Sequence, residues 1–314
     1  TLAKPKEDRL KLMQHCNANF SSIFGLFSDP SKRIDSVLKD YMRHSPLYDL
    51  VDDAGMRHTL WAIRDNRAIQ IITSVMSDKQ VFIADGHHRY ETAINYRNEM
   101  RGKLPNFSGE ELYNYVMMYF TNTNSEGLSI LPIHRLVSNL SDFDKKKIVE
   151  KAGEFFNIEK LSFNESDEKT VKQKLFSDMK ERGEKDHIFG MYLGDDDYIL
   201  LTLKDEDVLD RLITNLRHPS WKKLDVTILH TLLIEKVLRI SEKSLAEQKN
   251  ITYTISGDEA IKDVKAGKYQ IALFLNPTKI EEVKDVATAG EKMPQKSTFF
   301  YPKLLSGLVM NKLE

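Results

Sequence analysis

Apolar residues in the first 140 positions alternate between a helical period and the shorter runs that are typical of strands. Spacings of three and four residues predict helices over Asp8–Phe20, through Ile34, Leu38 and Tyr41, and from Asn66 through Val75. Ser28, Asp29 and Pro30 precede the second helix as a cap followed by a first-turn proline. Shorter apolar runs predict strands at His58–Ile63, Lys79–Ala84, Leu112–Phe120 and Leu128–Ile133. This part of the chain therefore mixes helices with strands.

From Ser141 onward, helical patterns rich in lysine and glutamate surround short strands. The predicted helices are Asp144–Phe155, Lys169–Glu181 and Leu224–Ile240; the predicted strands are His187–Leu193, Tyr198–Leu203, Ile251–Ile255 and Gln270–Leu275. We predict an α+β (mixed α/β) fold in three parts. These are a core domain over residues 1–140, a small α+β insert over 141–215, and a C-terminal part over 216–314 whose tail returns to the core.

The most informative segment is a corner at which a buried strand turns into a helix. Asp85-Gly86 ends the strand, and His87-His88-Arg89 opens a helix that runs to about Met100. Gly86 permits the sharp turn, and the free amides and positive dipole end of a helix start attract an anion. Arg89 and the two imidazoles add donors, so the pattern predicts a phosphate site.

The same corner also carries catalytic candidates. Asp85 is placed to bind a magnesium ion or to accept a proton, and His87 and His88 lie beside it in sequence. As a charged first-turn residue, Arg89 is expected to contribute little to the core.

Two other interpretations of the corner stay open. Asp85 can simply cap the helix while the histidines and Arg89 make surface contacts, although cations at a helix start oppose the helix dipole. The second alternative is a structural zinc site. Against it, adjacent histidines point in different directions on a helix, and no cysteine cluster accompanies them.

Further candidates lie outside the corner. His134-Arg135 follows Leu131-Pro132 and is either part of a phosphate site or a salt bridge at the end of a loop. The tract Lys296-Ser297-Thr298 with Lys303 groups two amines and two hydroxyls as a second phosphate clamp; the alternative is that its aromatic neighbours dock the tail. We interpret His230, on an apolar helix, as a core histidine, and Asp195–Asp197 as a solvated hairpin turn with calcium as the alternative.

Composition narrows the function classes. The 46 Lys+Arg and 47 Asp+Glu give a formal net charge of -1, so nothing supports nucleic acid binding. Cys16 is the only cysteine among 314 residues, which excludes an intrachain disulfide and makes a reducing cytoplasm the simplest setting. No apolar run approaches the roughly 20 residues of a membrane span. The sequence leaves the oligomeric state open, a homo-oligomer included.

Four blocks of the chain resemble a known family. They are Ile83–Ala93, Leu131–Arg135, Leu224–His230 and Met293–Lys303. In this order, and across nearly the whole chain, they look like the bacterial and archaeal family called domain of unknown function 1015 (DUF1015). In that family, sequence normally precedes the point where this chain begins. It includes a His-Glu-x-x-Thr element whose threonine corresponds to Thr1, so we expect an upstream portion that is absent here.

The Asp85–Arg89 corner is also similar to the Gly-x-x-Arg corner of the ParB/sulfiredoxin superfamily, which includes free-serine kinases. This resemblance implies a ParB/sulfiredoxin-like core and a nucleotide phosphate held by Gly86, His87, His88 and Arg89. It also implies ADP, ATP or CTP, with Mg²⁺, as cofactors. The expected activity is a phosphotransferase or phosphohydrolase acting on a small metabolite such as serine or phosphoserine. The alternative is a noncatalytic nucleotide-binding switch or protein-interaction module of the ParB type.

Overall fold

The computed structural model describes residues 3–53, 55–103, 106–213, 217–241, 244–245 and 249–314. The chain divides into two compact units. The first consists of Thr1–Ser129 together with Pro302–Glu314, and the second consists of Ile130–Tyr301.

Helices and strands alternate in both units. The helices are α1 (Ala3–Cys16), α2 (Arg33–Tyr41), α3 (Asn66–Met76), α4 (His87–Lys103), α5 (Lys145–Phe155), α6 (Glu168–Arg182), α7 (Asp207–Leu212), α8 (Pro219–Lys222), α9 (Asp225–Ile228), a π-helix (Leu229–Val237), α10 (Gly257–Lys265) and α11 (Ile280–Thr288), with a 3₁₀ turn at Leu112–Asn114. The strands are β1 (Ala18–Asn19), β2 (Ile23–Phe27), β3 (Tyr48–Val51), β4 (Arg57–Leu60), β5 (Phe82–Asp85), β6 (Met118–Asn122), β7 (Ser129–Leu131), β8 (His134–Val137), β9 (Phe156–Ser162), β10 (Ile188–Tyr192), β11 (Asp197–Leu203), β12 (Ile251–Thr254), β13 (Ile271–Phe274), β14 (Phe299–Tyr301) and β15 (Asn311–Lys312). The mixed α+β class is confirmed.

The first unit is built around a three-stranded sheet with β2 at its centre. β2 runs antiparallel to β5 and parallel to β6, and all five of its residues are buried. Asp29 accepts hydrogen bonds from the amides of Arg33 and Ile34, so it satisfies the start of α2 as its position before the helix predicts. The helix itself begins four residues later, and Pro30 lies in the preceding turn.

The second unit contains a six-stranded antiparallel sheet in the order β12-β8-β13-β10-β11-β9. Its central strands are apolar on both sides, because each face is covered by helices. Leu136, Ile188 and Leu200 face one core together with residues of α6 and α10. Their immediate neighbours Val137, Phe189 and Leu201 face another core, formed with α5, α9 and the π-helix. Adjacent residues of one strand thus belong to different cores.

The long helix predicted over Leu224–Ile240 is only partly α-helical. It begins as α9 and continues as a π-helix from Leu229 to Val237, in which the amide of Leu238 donates to the carbonyl of Leu233, five residues back. Apolar spacing could not distinguish these two helix types, because buried apolar residues are frequent along the whole segment. π-helical segments are rare and are often found at functional sites.

The observed units differ from the three-part division predicted from sequence. Strands β9, β10 and β11 of the 141–215 segment lie in one sheet with β8, β12 and β13 from either side of it. This segment is therefore part of the larger unit. The predicted strand Leu112–Phe120 is also shorter than expected, since its first part forms the 3₁₀ turn. None of the described helices combines the length and apolar content needed to cross a bilayer.

A partly buried histidine in the second unit, His187, leads to a prediction about pH. His187 Nδ1 lies 2.7 Å from Asp225 Oδ1, and its Nε2 lies 3.6 Å from Glu206 Oε1, with the charge of Glu282 also nearby. Burial opposes protonation of the imidazole, but the hydrogen bond and charge of Asp225, assisted by the other carboxylates, raise the pKa of His187 above 6.5.

Because the native pKa of His187 is raised, its ion pairs stabilise the fold fully below the unfolded value of about 6.5. This stabilisation is lost as pH rises through the native pKa. A charge-assisted hydrogen bond contributes about 1.5–3 kcal/mol, so His187→Asn should lower the free energy of unfolding by that order near pH 6. Denaturant titrations should show the difference from the unsubstituted protein shrinking by pH 9. An equal difference at both pH values would contradict the role given to the charge.

Candidate functional site

The corner between β5 and α4 has the geometry that its sequence predicts. Asp85 is the last residue of β5, Gly86 adopts a φ of 94°, and His87 begins α4. The amide of Tyr90 donates to the carbonyl of Gly86 at 3.0 Å, as in the first turn of a helix. A left-handed φ is unfavourable for residues with a side chain, which explains glycine at this position.

Arg89 folds back over the corner. Its Nη1 donates to the carbonyl of Ser22 at 2.5 Å, and its Nη2 donates to Asp85 Oδ2 at 2.6 Å. The guanidinium lies so close to Gly86 that a Cβ added there would be 2.8 Å from Nε. Arg89 therefore connects the segment before β2 to the end of β5 through polar contacts, and its small contribution to the core stays a prediction.

A small pocket adjoins this arginine within the first unit. It has a volume of about 80 Å³, and its lining residues include the polar residues Arg9, Asn19, Ser21, Arg89 and Thr92 and the apolar residues Leu12 and Met13. A single water needs about 10–15 Å³ by this measure, so the pocket has room for a small oxoanion rather than for a whole nucleotide.

Two features of the pocket favour an anion. Thr92 is only 3% exposed, and its hydroxyl has no hydrogen-bond partner among the described residues, although a buried hydroxyl normally has one. Burial lowers the pKa of Arg89, Asp85 opposes this effect, and the positive charge of Arg9 lowers the pKa further. The positive charges of Arg9 and Arg89 thus repel each other near the Thr92 hydroxyl, which has no partner of its own.

The other corner residues are placed differently from one another. His87 is exposed at the start of α4. His88 is partly buried, its Nε2 has no hydrogen-bond partner among the described residues, and burial, with the charge of Lys6, lowers the pKa of its imidazole. Asp85, with its side chain 49% exposed, remains accessible to a ligand through the oxygen that Arg89 does not engage.

The described residues of the corner do not form a metal site by themselves. Across the part of the chain that the structure describes, no three His, Cys, Asp or Glu side chains are grouped to hold a metal ion. Asp85 supplies a single carboxylate, and one of its oxygens is engaged by Arg89. Mg²⁺ is usually held by one or two carboxylates together with substrate phosphates and water, so the magnesium role of Asp85 stays a prediction.

The candidates outside the corner fall in two places. His134 and Arg135 are neighbours on β8 and face opposite sides of the sheet. His134 packs against Phe176 and Phe274, its Nδ1 lies 3.4 Å from the amide of Leu275, and burial, with the charge of Arg135, lowers its pKa to about 4. The two residues therefore cannot bind one ligand from the same side of the sheet.

The predicted C-terminal clamp is divided between the units. Lys296, Ser297 and Thr298 belong to the second unit, and Lys303 belongs to the first. The Ser297 hydroxyl donates to the carbonyl of Pro294 at 2.7 Å, and the Ser297 carbonyl accepts from Thr278 at 2.8 Å. Ser297 thus shapes its own loop. The phosphate-binding roles of Thr298 and Lys303 stay predictions.

Comparison with known families identifies the chain. The family model described as "Protein of unknown function (DUF1015)" matches residues 1–227, which include the corner, β8 and α9 up to Thr227. The chain belongs to this family. No curated protein matches this DUF1015 chain at a significant level.

Solved structures with some similarity to the DUF1015 chain have low identity. A conserved hypothetical protein from Pyrococcus furiosus is 14% identical with a TM-score of 0.42, covering 100% of this chain and 90% of that one. A free serine kinase in complex with AMP is 14% identical with a TM-score of 0.43, covering 100% and 86%. A variant free serine kinase in complex with ADP is 12% identical with a TM-score of 0.43, covering 100% and 87%. These scores are too low to transfer a fold or an activity.

Of the polar residues that line the pocket, the sequence of this DUF1015 chain pointed only to Arg89, and Thr92 and Arg9 are the most important of those it missed. Thr92 lies within the Ile83–Ala93 block, and a threonine on the buried side of a helix start was the available signal. Arg9 gave none, because it is one of several charged residues on α1 and only the tertiary fold brings it to the pocket.

Gly86→Ala tests how tightly the corner is packed. The alanine would have to adopt the left-handed φ of Gly86, and its methyl would displace Arg89 from Asp85 and Ser22. Gly109→Ala is the matched control, since Gly109 has a φ of 97° but open space around its Cα. Both should lose about 1–2 kcal/mol to backbone strain, and Gly86→Ala should lose a further ~1–3 kcal/mol from unpaired polar groups. Equal loss in thermal melts would show that Arg89 moves aside at no cost.

Proposed function

We propose that the protein binds a small phosphate-bearing metabolite or nucleotide at the corner pocket and acts on it as a phosphotransferase or phosphohydrolase. The observation that carries the proposal is the meeting of Arg9, Arg89 and the unpartnered Thr92 hydroxyl in one small pocket. The resemblance of the corner to free-serine kinases adds serine or phosphoserine as the candidate substrate and ADP, ATP or CTP as the candidate nucleotide.

The charges of the pocket fit a phosphate. Arg9 and Arg89 contribute two permanent positive charges, and Asp85 neutralises part of one of them. A phosphate group entering the pocket would accept from the Thr92 hydroxyl and from the guanidinium groups, which bind phosphate oxygens in a fixed fork geometry. Since the pocket has room for only a small anion, the rest of a nucleotide would lie outside it.

Phosphoryl transfer needs chiefly positioning and neutralisation of developing charge, and the corner supplies both. The guanidinium groups would hold the phosphate oxygens as negative charge spreads over them. Asp85 has one carboxylate oxygen that Arg89 does not engage, so it can accept a proton from an attacking hydroxyl. His88 is a second candidate for this role because its lowered pKa keeps the imidazole neutral near pH 7.

The rival proposal is a noncatalytic nucleotide-dependent switch. Its specific support is the Arg89–Asp85 ion pair, because a phosphate that attracts Arg89 would release Asp85 and loosen the contact with Ser22. Such a rearrangement moves the segment before β2 without any chemistry. It predicts a change of assembly state with nucleotide and no turnover.

Thr92→Val is the sharpest test of the binding site. The substitution removes a buried hydroxyl that has no partner, so it should leave the free protein as stable or raise its stability by about 1 kcal/mol. If the hydroxyl donates to phosphate, affinity for ADP and phosphoserine should fall by about tenfold. Isothermal titration, with and without magnesium, measures the affinity, and thermal melts measure the stability.

Arg9→Ala should weaken binding by a similar or larger factor, because a charged hydrogen bond contributes about 1.5–3 kcal/mol. Arg97→Ala is the control: it removes the same charge from the far part of α4, outside the pocket, where Arg97 contacts only Asn98 among the hydrogen bonds described. Unchanged affinity in Thr92→Val and Arg9→Ala would reject this pocket. Release of phosphate, or transfer to serine, distinguishes the enzyme from the switch.

A further inference from the structure

A second group of cations lies within the other unit, on the face of the six-stranded sheet that the π-helix covers. We call Arg135, His230, Tyr253 and Lys296 the Arg135 cluster. Arg135 and Tyr253 are cross-strand partners on β8 and β12. His230 is on the π-helix, and Lys296 is in the loop before β14. All four belong to the Ile130–Tyr301 unit.

Arg135 is the largest fully buried side chain described in the protein, at 1% exposure. Nη1 donates to the carbonyl of Ile133, and Nη2 donates to the carbonyl of Lys296 at 2.9 Å. Its Nε has no hydrogen-bond partner, and among the described residues no carboxylate forms an ion pair with it. A buried charge without an opposite charge is strongly unfavourable, so this arrangement calls for an anion.

A second positive charge shares the same aromatic ring. The Cζ of Arg135 lies 5.6 Å from the ring centroid of Tyr253, and the Nζ of Lys296 lies 5.8 Å from it. Each contact is favourable alone, but two cations at one ring repel each other. Lys296 is exposed, so a ligand would reach the cluster from the side of this lysine.

His230 contributes no charge to the cluster. Its Nε2 lies 3.4 Å from Arg135 Nη2, and an arginine can only donate, so Nε2 is the acceptor and the proton resides on Nδ1. Burial, with the charge of Arg135, lowers the pKa of His230 to about 3, which keeps the ring neutral. The two cationic side chains of the cluster are therefore Arg135 and Lys296.

The backbone on both sides of the cluster is unusual. His230 is the second residue of the π-helix, and Lys296 has a φ of 56° although it is not a glycine. Ser297 fixes this turn through its bond to the carbonyl of Pro294. Strained backbone and π-helical turns persist where the surrounding structure holds functional groups in place.

We propose that the Arg135 cluster is a second phosphate-binding site, independent of the corner pocket. Arg135 Nε and Lys296 Nζ supply the donors, and their combined charge matches a dianionic phosphate, whereas a carboxylate would leave one charge unbalanced. A purely structural arginine that holds the Lys296 carbonyl would need neither an unused Nε nor a lysine at the same ring.

The test uses the full chain with the corner pocket disabled by Arg9→Ala and Thr92→Val. In this background, inorganic phosphate should still bind by isothermal titration. Lys296→Gln should weaken that binding by at least about tenfold, the typical loss for a charged donor. Lys262→Gln is the matched control, because it removes an exposed lysine from α10 on the opposite face of the sheet, and it should change nothing.

Arg135→Met and acetate complete the experiment. Arg135→Met should abolish phosphate binding, and because Lys296 is exposed, Lys296→Gln decides alone if Arg135→Met does not fold. Acetate binding as strongly as phosphate would overturn the assignment of phosphate. Three results would overturn the site. They are no phosphate binding in the disabled background, equal losses of affinity in Lys296→Gln and Lys262→Gln, and phosphate binding that Lys296→Gln leaves unchanged. The corner proposal is judged separately, since its variants are present in every arm.

Discussion

Burial of both faces of the antiparallel sheet is the constraint on which the second unit depends. Each strand residue must suit one of two separate cores, so a polar side chain in a central strand needs its own reason to be there. His134 meets this demand with aromatic neighbours and a neutral ring. Arg135, one residue later, has hydrogen-bond partners for its Nη atoms but none for Nε. This unpartnered buried group makes Arg135 the most informative residue of the unit.

The first unit has a smaller sheet and leaves more of its apolar side chains exposed. Its central sheet has three strands, and large side chains such as Tyr119 and Phe120 on β6 remain about 42% exposed. With less apolar burial available, polar contacts carry more of its organisation. Arg89 is the main example, because one guanidinium joins the segment before β2 to the end of β5. The group best placed to bind a ligand is thus also a structural connection.

The sequence predicts local structure well and long-range arrangement poorly. Apolar spacing located α3, and the Gly194–Asp197 turn located the β10–β11 hairpin, because each signal lies within the element itself. Strand β9 was missed, since it alternates with charged residues and pairs only with β11. The corner was found because strand, glycine and helix start are contiguous. Arg9 and Tyr253 were not, because only the fold brings them to their sites.

The π-helix sets the direction in which its side chains point around the helix axis. An α-helix turns about 100° per residue, and a π-helical hydrogen bond encloses one residue more than an α-helical one. If the same residues ran as a regular α-helix, each position after Leu229 would be rotated further around the helix axis than it is in the wider π-helical turns. The wider turns thus let His230 contact Arg135 while Val237 stays in the core.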